Sequence, residues 1–117
     1  MRCRIALDGM DLTSIPWQPT SYEGISVHFY ASDRESKRVL ALIQMAPGCG
    51  YPRHRHRSDE EVLVLQGGYE DELGVYETGQ MVRYAPGTEH GPRATGGPGG
   101  EPCVLLALAH EGVKLLS

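Results

Sequence analysis

Gly48-Cys-Gly-Tyr-Pro-Arg-His54-Arg-His56-Arg-Ser-Asp-Glu60-Glu-Val-Leu-Val-Leu-Gln-Gly67 is the stretch whose reading decides the fold. Histidine and arginine alternate through residues 53–57. In an extended chain residues two apart project from one face, so His54 and His56 can converge on one ion while Arg53, Arg55 and Arg57 point the other way. Ser58-Asp-Glu-Glu61 has the Ser-x-x-Glu form of a helix capping box. Only five residues then separate Glu61 from Gly67-Gly68, and two of them are β-branched. That run is too short for a stable helix and suits a strand closed by a tight turn.

Outward from this stretch the same texture continues. Ile25-Ser-Val-His-Phe-Tyr30 alternates apolar and polar, and Val39-Leu-Ala-Leu-Ile-Gln-Met45 is almost continuously apolar until Pro47-Gly48 stops it. Further strands are expected over Tyr51 to His56, Glu61 to Gln66, Tyr69 to Asp71, Val75 to Tyr76, Gln80 to Tyr84, His90 to Arg93 and Cys103 to Ala109, each bounded by Gly or Pro. Around nine short strands without crossover helices predict an all-β, antiparallel sandwich or barrel. Thr95-Gly-Gly-Pro-Gly-Gly-Glu-Pro102 reads as an exposed loop. Residues 1–24, with Pro16 and Pro19, read as an N-terminal arm or edge strand ahead of one domain over residues 25–117.

Composition narrows the function. The chain has 117 residues, 40% of them hydrophobic, which suffices for one core and is too few for two. Eleven Lys and Arg against fifteen Asp and Glu give a net charge of −4, which repels nucleic acid and anionic membranes. The longest apolar run, Cys103 to Ala109, is seven residues and cannot span a bilayer. Cys3, Cys49 and Cys103 form no C-x-x-C pair, so no disulfide framework or thiolate zinc site is expected and a reducing, cytoplasmic location fits.

Glu60 follows the histidine pair after a link that can bend its carboxylate back toward them, and His90 begins a strand that an antiparallel fold could lay alongside. Three neutral nitrogens and one carboxylate suit a divalent transition metal and would leave two positions open in a six-coordinate ion. A lone histidine on a strand is usually an ordinary hydrogen-bonded residue. That reading stands for His28 and His110. The joint spacing sets His54, His56 and His90 apart.

Gly48-x5-His54-x-His56-x3-Glu60-x6-Gly67 and Gly79-x7-Gly87-x2-His90 resemble the two motifs of the cupin superfamily. Glu60-Glu-Val-Leu-Val-Leu-Gln-Gly67, Asp71-Glu72 and the short gap between the motifs resemble the cupin domain of ChrR-type anti-sigma factors. Diketone- and acetophenone-cleaving dioxygenases carry similar small domains. The resemblance implies a jelly-roll β-barrel holding one metal on His54, His56, Glu60 and His90. Two positions depart from the pattern: Ala85 stands where the second motif has proline, with Pro86 following, and Ala94 stands where asparagine is frequent. Glu61 satisfies a looser form of the motif, but Glu60 keeps Leu65-Gln66-Gly67 in register.

Tyr51, Tyr69, Tyr76 and Tyr84 with Met45 and Met81 are candidates to line an apolar substrate pocket over the metal, or simply to form core. Two functions follow from the resemblance. One is a non-haem Fe(II)-dependent dioxygenase acting on a small carbonyl or phenolic compound. The other is a non-enzymatic, zinc-bound sensing module. The roughly twenty-five residues before the first clear strand are too few for a separate sigma-binding domain, which tilts the expectation to the enzyme. Manganese, nickel and copper also suit the ligands, and a metal-free sugar epimerase is disfavoured by retention of all four. Homodimerisation is expected from the resemblance, covering exposed edge strands.

Overall fold

The computed structural model describes residues 11–33, 37–96, 99–110 and 113–115, and every regular element in them is a β-strand. The strands are β1 (Gln18–Pro19), β2 (Ile25–Asp33), β3 (Arg38–Met45), β4 (His54–His56), β5 (Glu60–Gln66), β6 (Gly68–Asp71), β7 (Gly74–Glu77), β8 (Met81–Tyr84), β9 (Glu89–His90), β10 (Arg93–Ala94), β11 (Cys103–His110) and β12 (Val113–Leu115). All pairings are antiparallel. They form a six-stranded sheet in the order β1-β2-β3-β11-β5-β8 and two three-stranded sheets, β10-β6-β7 and β12-β4-β9. The expected arm includes residues 1–10 and the expected glycine-rich loop includes residues 97–98, and these lie outside the described residues, as does Cys3.

Alternation builds the interior. In β3 and β11, Met45, Ile43 and Ala41 stand opposite Cys103, Leu105 and Ala107. Most of these join Ile25, Val62, Val64, Tyr69, Tyr84 and Ala94 in one buried cluster. Burial of such apolar area is the main force holding the barrel closed. The neighbouring positions, Leu42, Leu106 and Leu63, form a register row on the opposite face of the same sheet.

Two turns place the site. At Gly67 the backbone has φ +68°, and a Cβ there would come 2.7 Å from the Pro102 carbonyl oxygen, so only glycine fits between β5 and β6. Ala85-Pro86-Gly87-Thr88 forms a turn closed by Thr88 N–H to Ala85 O at 3.1 Å, with Gly87 at φ +86°. Proline second and glycine third are the requirements of a type II turn, so the displaced proline still serves. Gly87 N–H donates to His56 O and His56 N–H to Thr88 O, which ties the turn to β4 and sets His90 beside the histidine pair.

The expected strand over Tyr51 to His56 is shorter than the pattern suggests, because Tyr51 N–H bonds to the Pro92 carbonyl and pairing starts at His54. The single strand expected over His90 to Arg93 is split into β9 and β10 at Gly91-Pro92, where Pro92 lacks an N–H for the ladder.

Candidate metal centre

His54 stands opposite His90 across β4 and β9, and His56 lies two residues along β4 on the same face. All three are buried, with 1–4% of their surface exposed. One nitrogen from each lies within 4.8 Å of the others. Nδ1 of His54 is 2.8 Å from Pro52 O, and Nδ1 of His90 is 2.9 Å from Asp71 Oδ2. Both partners only accept, so each Nδ1 carries the proton and each Nε2 is left with a bare lone pair.

Nε2 of His56 and Nε2 of His90 are 2.9 Å apart. Two imidazole nitrogens bound at about 2.1 Å and at right angles stand about 3 Å apart. The three side chains therefore fit one metal ion. Burial keeps His54 and His56 ready for it, since ligation requires the neutral ring. Burial, then the neighbouring histidines, pushes His56 down to about 4, and burial also lowers His54.

Glu60 Oε1 is 3.7 Å from His56 Nδ1, so the carboxylate stands beside the three-nitrogen group rather than within it. It faces the cavity, and burial raises it to about 7. Glu61 is one position out of phase in β5 and is not part of the cavity wall. Arg53 and Arg55 point outward as alternation requires, pairing with Glu72 and Glu89 at the surface, and Arg57 is exposed.

Asp71 has a role that sequence reasoning missed. Its side chain is fully buried, and besides His90 it accepts from Tyr84 OH at 2.7 Å and Tyr76 OH at 3.2 Å. Tyr69 OH lies 2.6 Å from Tyr84 OH and extends the chain. Burial alone would raise Asp71, but the hydrogen bonds from Tyr84 and His90 outweigh it and hold the carboxyl below its ordinary value. Its local signal was the Asp71-Glu-Leu-Gly74 turn, where Leu73 and Gly74 N–H groups cap Oδ1. Nothing in that signal reveals the reach to His90.

A cavity of about 360 Å³ opens over His54 and His90, and Tyr51, Tyr69, Tyr84 and Met45 contribute to its wall. Met81 does not, which corrects the expectation that it lines the pocket. With Tyr84 facing inward, β8 alternation turns Met81 outward, where it pairs with Leu63 and is 65% exposed. Tyr76 packs on Tyr69 outside the cavity. Of the remaining candidates, Cys49 and Cys103 are free thiols, and burial pushes Cys103 up to about 12, which suits packing rather than nucleophilic chemistry. His28 and His110 lie away from the histidine group.

An all-antiparallel barrel with an inward-facing histidine triad under an internal cavity is a cupin. More closely, residues 7–105 match the family model of the ChrR cupin-like domain, and the chain belongs to that family. Among solved structures it is similar to a chain of the Rhodobacter sphaeroides SigE complex with the anti-sigma ChrR, at 28% identity and TM-score 0.71, covering 84% of this chain and 50% of that one. It thus spans about half of that relative's length. An RmlC-like cupin from Ralstonia eutropha gives 20% identity and TM-score 0.77 over 92% of this chain and 70% of that one. An acetylacetone dioxygenase from Acinetobacter johnsonii gives 12% identity and TM-score 0.78 over 93% and 77%. No curated protein matches the chain in sequence. Among the described residues no helix is long and apolar enough to cross a membrane.

Proposed function

We propose that the protein is a mononuclear metal-dependent oxygenase of the non-haem Fe(II) dioxygenase type, acting on a small carbonyl or phenolic compound. The observation that carries this reading is that the buried triad of His54, His56 and His90 opens, through His54 and His90, into a cavity with room for a substrate. A purely structural metal site is closed by protein ligands, whereas a catalytic one keeps positions open. Fe(II), when bound, supplies the activation of dioxygen.

The chain's own residues do the rest. The Pro52 carbonyl and the Asp71 carboxylate fix the orientation and tautomer of His54 and His90. With Nε2 of His56 committed to the ion, its ring proton sits on Nδ1, toward Glu60 Oε1. Glu60 tunes that ring and, facing the cavity, accepts a proton at its carboxylate from an acidic O–H or C–H of the substrate. The apolar wall offers water few partners beside the site. Anaerobic reconstitution with Fe(II), followed by an oxygen-uptake screen over diketones and hydroxyacetophenones, tests the class. Substrate-dependent uptake lost in Glu60→Gln is the expected result, and a silent screen with fully loaded protein counts against it.

A second reading is a zinc-bound sensing module, supported by membership of the ChrR cupin-like family. Firmly bound zinc, with a protein partner recovered by pull-down, would favour it. Absence of any partner would weaken it.

A further inference from the structure

We infer that the cavity takes an amphiphile: a compact oxygen-bearing head at the histidines and an extended, uncharged aliphatic or aryl body running toward β2. The head assignment rests on the metal-centred reading above, and the body assignment rests on the cavity alone.

The wall is divided by element. Every lining residue contributed by β2 and β3 is apolar, and these include Val27, Phe29, Val39 and Ala41. The polar lining groups are Tyr51, His54, Glu60, Tyr69, Tyr84 and His90, none of them from β2 or β3. Glu60 on β5 and Phe29 on β2 are separated by β11 and β3, three strand spacings, or about 14 Å. Phe29 is 53% exposed while also lining the cavity, so the cavity reaches the surface at the β2 end.

Charge sharpens the choice. Among the described lining residues Glu60 is the one acidic side chain and there is no lysine or arginine. A carboxylate or phosphate on the body of the ligand would be desolvated without a partner, which is heavily disfavoured. The same wall rewards each added methylene or ring carbon by removing it from water. A head-sized ligand alone would leave the β2 half of the cavity unused.

The test uses straight-chain hydroxamates from acetyl to decanoyl, which share one oxygen-chelating head, titrated by calorimetry into metal-loaded protein whose metal content is measured on the same sample. Affinity is expected to rise about two- to fourfold per methylene until the chain reaches Phe29. A terminal carboxylate should cost at least tenfold at equal length. Phe29→Glu, at an exposed position that tolerates charge, should weaken the long members and spare the short ones. Equal affinity along the series in stoichiometrically loaded protein would overturn this inference and leave the metal-centred function standing, as would an insensitive Phe29→Glu. Absence of bound metal with affinity still rising along the series would overturn the metal-centred reading and the head assignment with it, and leave the body assignment standing. Failure of every member to bind would overturn the amphiphile site.

Discussion

Asp71 and His90 are joined by a hydrogen bond of 2.9 Å between Oδ2 and Nδ1, across two strands of different sheets and wholly out of solvent. The same carboxylate oxygen accepts from Tyr84 OH, so the histidine is held by a network rather than by one contact. Such carboxylate–histidine pairs set which ring nitrogen is free for a metal.

Replacing Asp71 by Asn removes the charge that draws the proton to Nδ1 while keeping the side-chain shape. Metal affinity is expected to fall about 10- to 100-fold, measured by competition with a chromophoric chelator. An unchanged affinity in a folded Asp71→Asn protein would show that His90 is oriented without it.

Tyr84→Phe removes one hydroxyl that donates to Asp71 and faces Tyr69. Two buried polar groups lose a partner, and the expected cost is about 1–3 kcal/mol in denaturant unfolding. The aromatic ring still stacks on His56, centroids 5.1 Å apart, so the loss isolates the hydroxyl. A cost near zero would mean that water replaces it.

The metal-free protein should have a pH-dependent stability with two opposing parts. His56 is depressed to about 4 from 6.5, so the unfolded chain binds more protons between those values and stability rises with pH there. Glu60 is raised to about 7 from 4.5, so its contribution is full below 4.5 and is lost as pH rises through 7. Melting curves in chelator should therefore show wild type losing stability as pH passes from 6.5 to 8, whereas Glu60→Gln stays level. Identical profiles for the two proteins would refute the assignment to Glu60.

Gly67→Ala should cost more than about 1 kcal/mol, because the substitution meets both a positive φ and the Pro102 carbonyl. Gly79→Ala provides the comparison: it shares the positive φ, but a Cβ there meets nothing within 4 Å. Equal melting temperatures for the two variants would remove the steric part of this explanation.

What could be read from the sequence was local. The period of two in Arg53-His-Arg-His-Arg57 gives the inward histidines and outward arginines directly, and the Gly and Pro punctuation gives the all-β class. Residue type misled at Met81: its apolar side chain suggested a pocket residue, whereas the phase of its four-residue strand is fixed by Tyr84 facing inward. Asp71 was out of reach for a different reason. Its turn chemistry is visible in four consecutive residues, but its partners His90, Tyr84 and Tyr76 are brought to it by sheet packing across 5 to 19 positions of chain. Pro92 shows the same limit, since its carbonyl receives the N–H of Tyr51, a residue distant in the chain.

The most direct test is the metal content of tag-free protein after equilibration with Fe(II) under anaerobic conditions and, separately, with Zn(II), for wild type and for His54→Ala and His90→Ala. Each variant should first be shown to be folded by its far-ultraviolet spectrum. The expected result is about one ion per chain in wild type, reduced at least tenfold in both variants, as loss of one of three convergent nitrogens requires. Wild-type protein that stays metal-free, or variants that bind as well as wild type, would contradict a centre built on these three histidines.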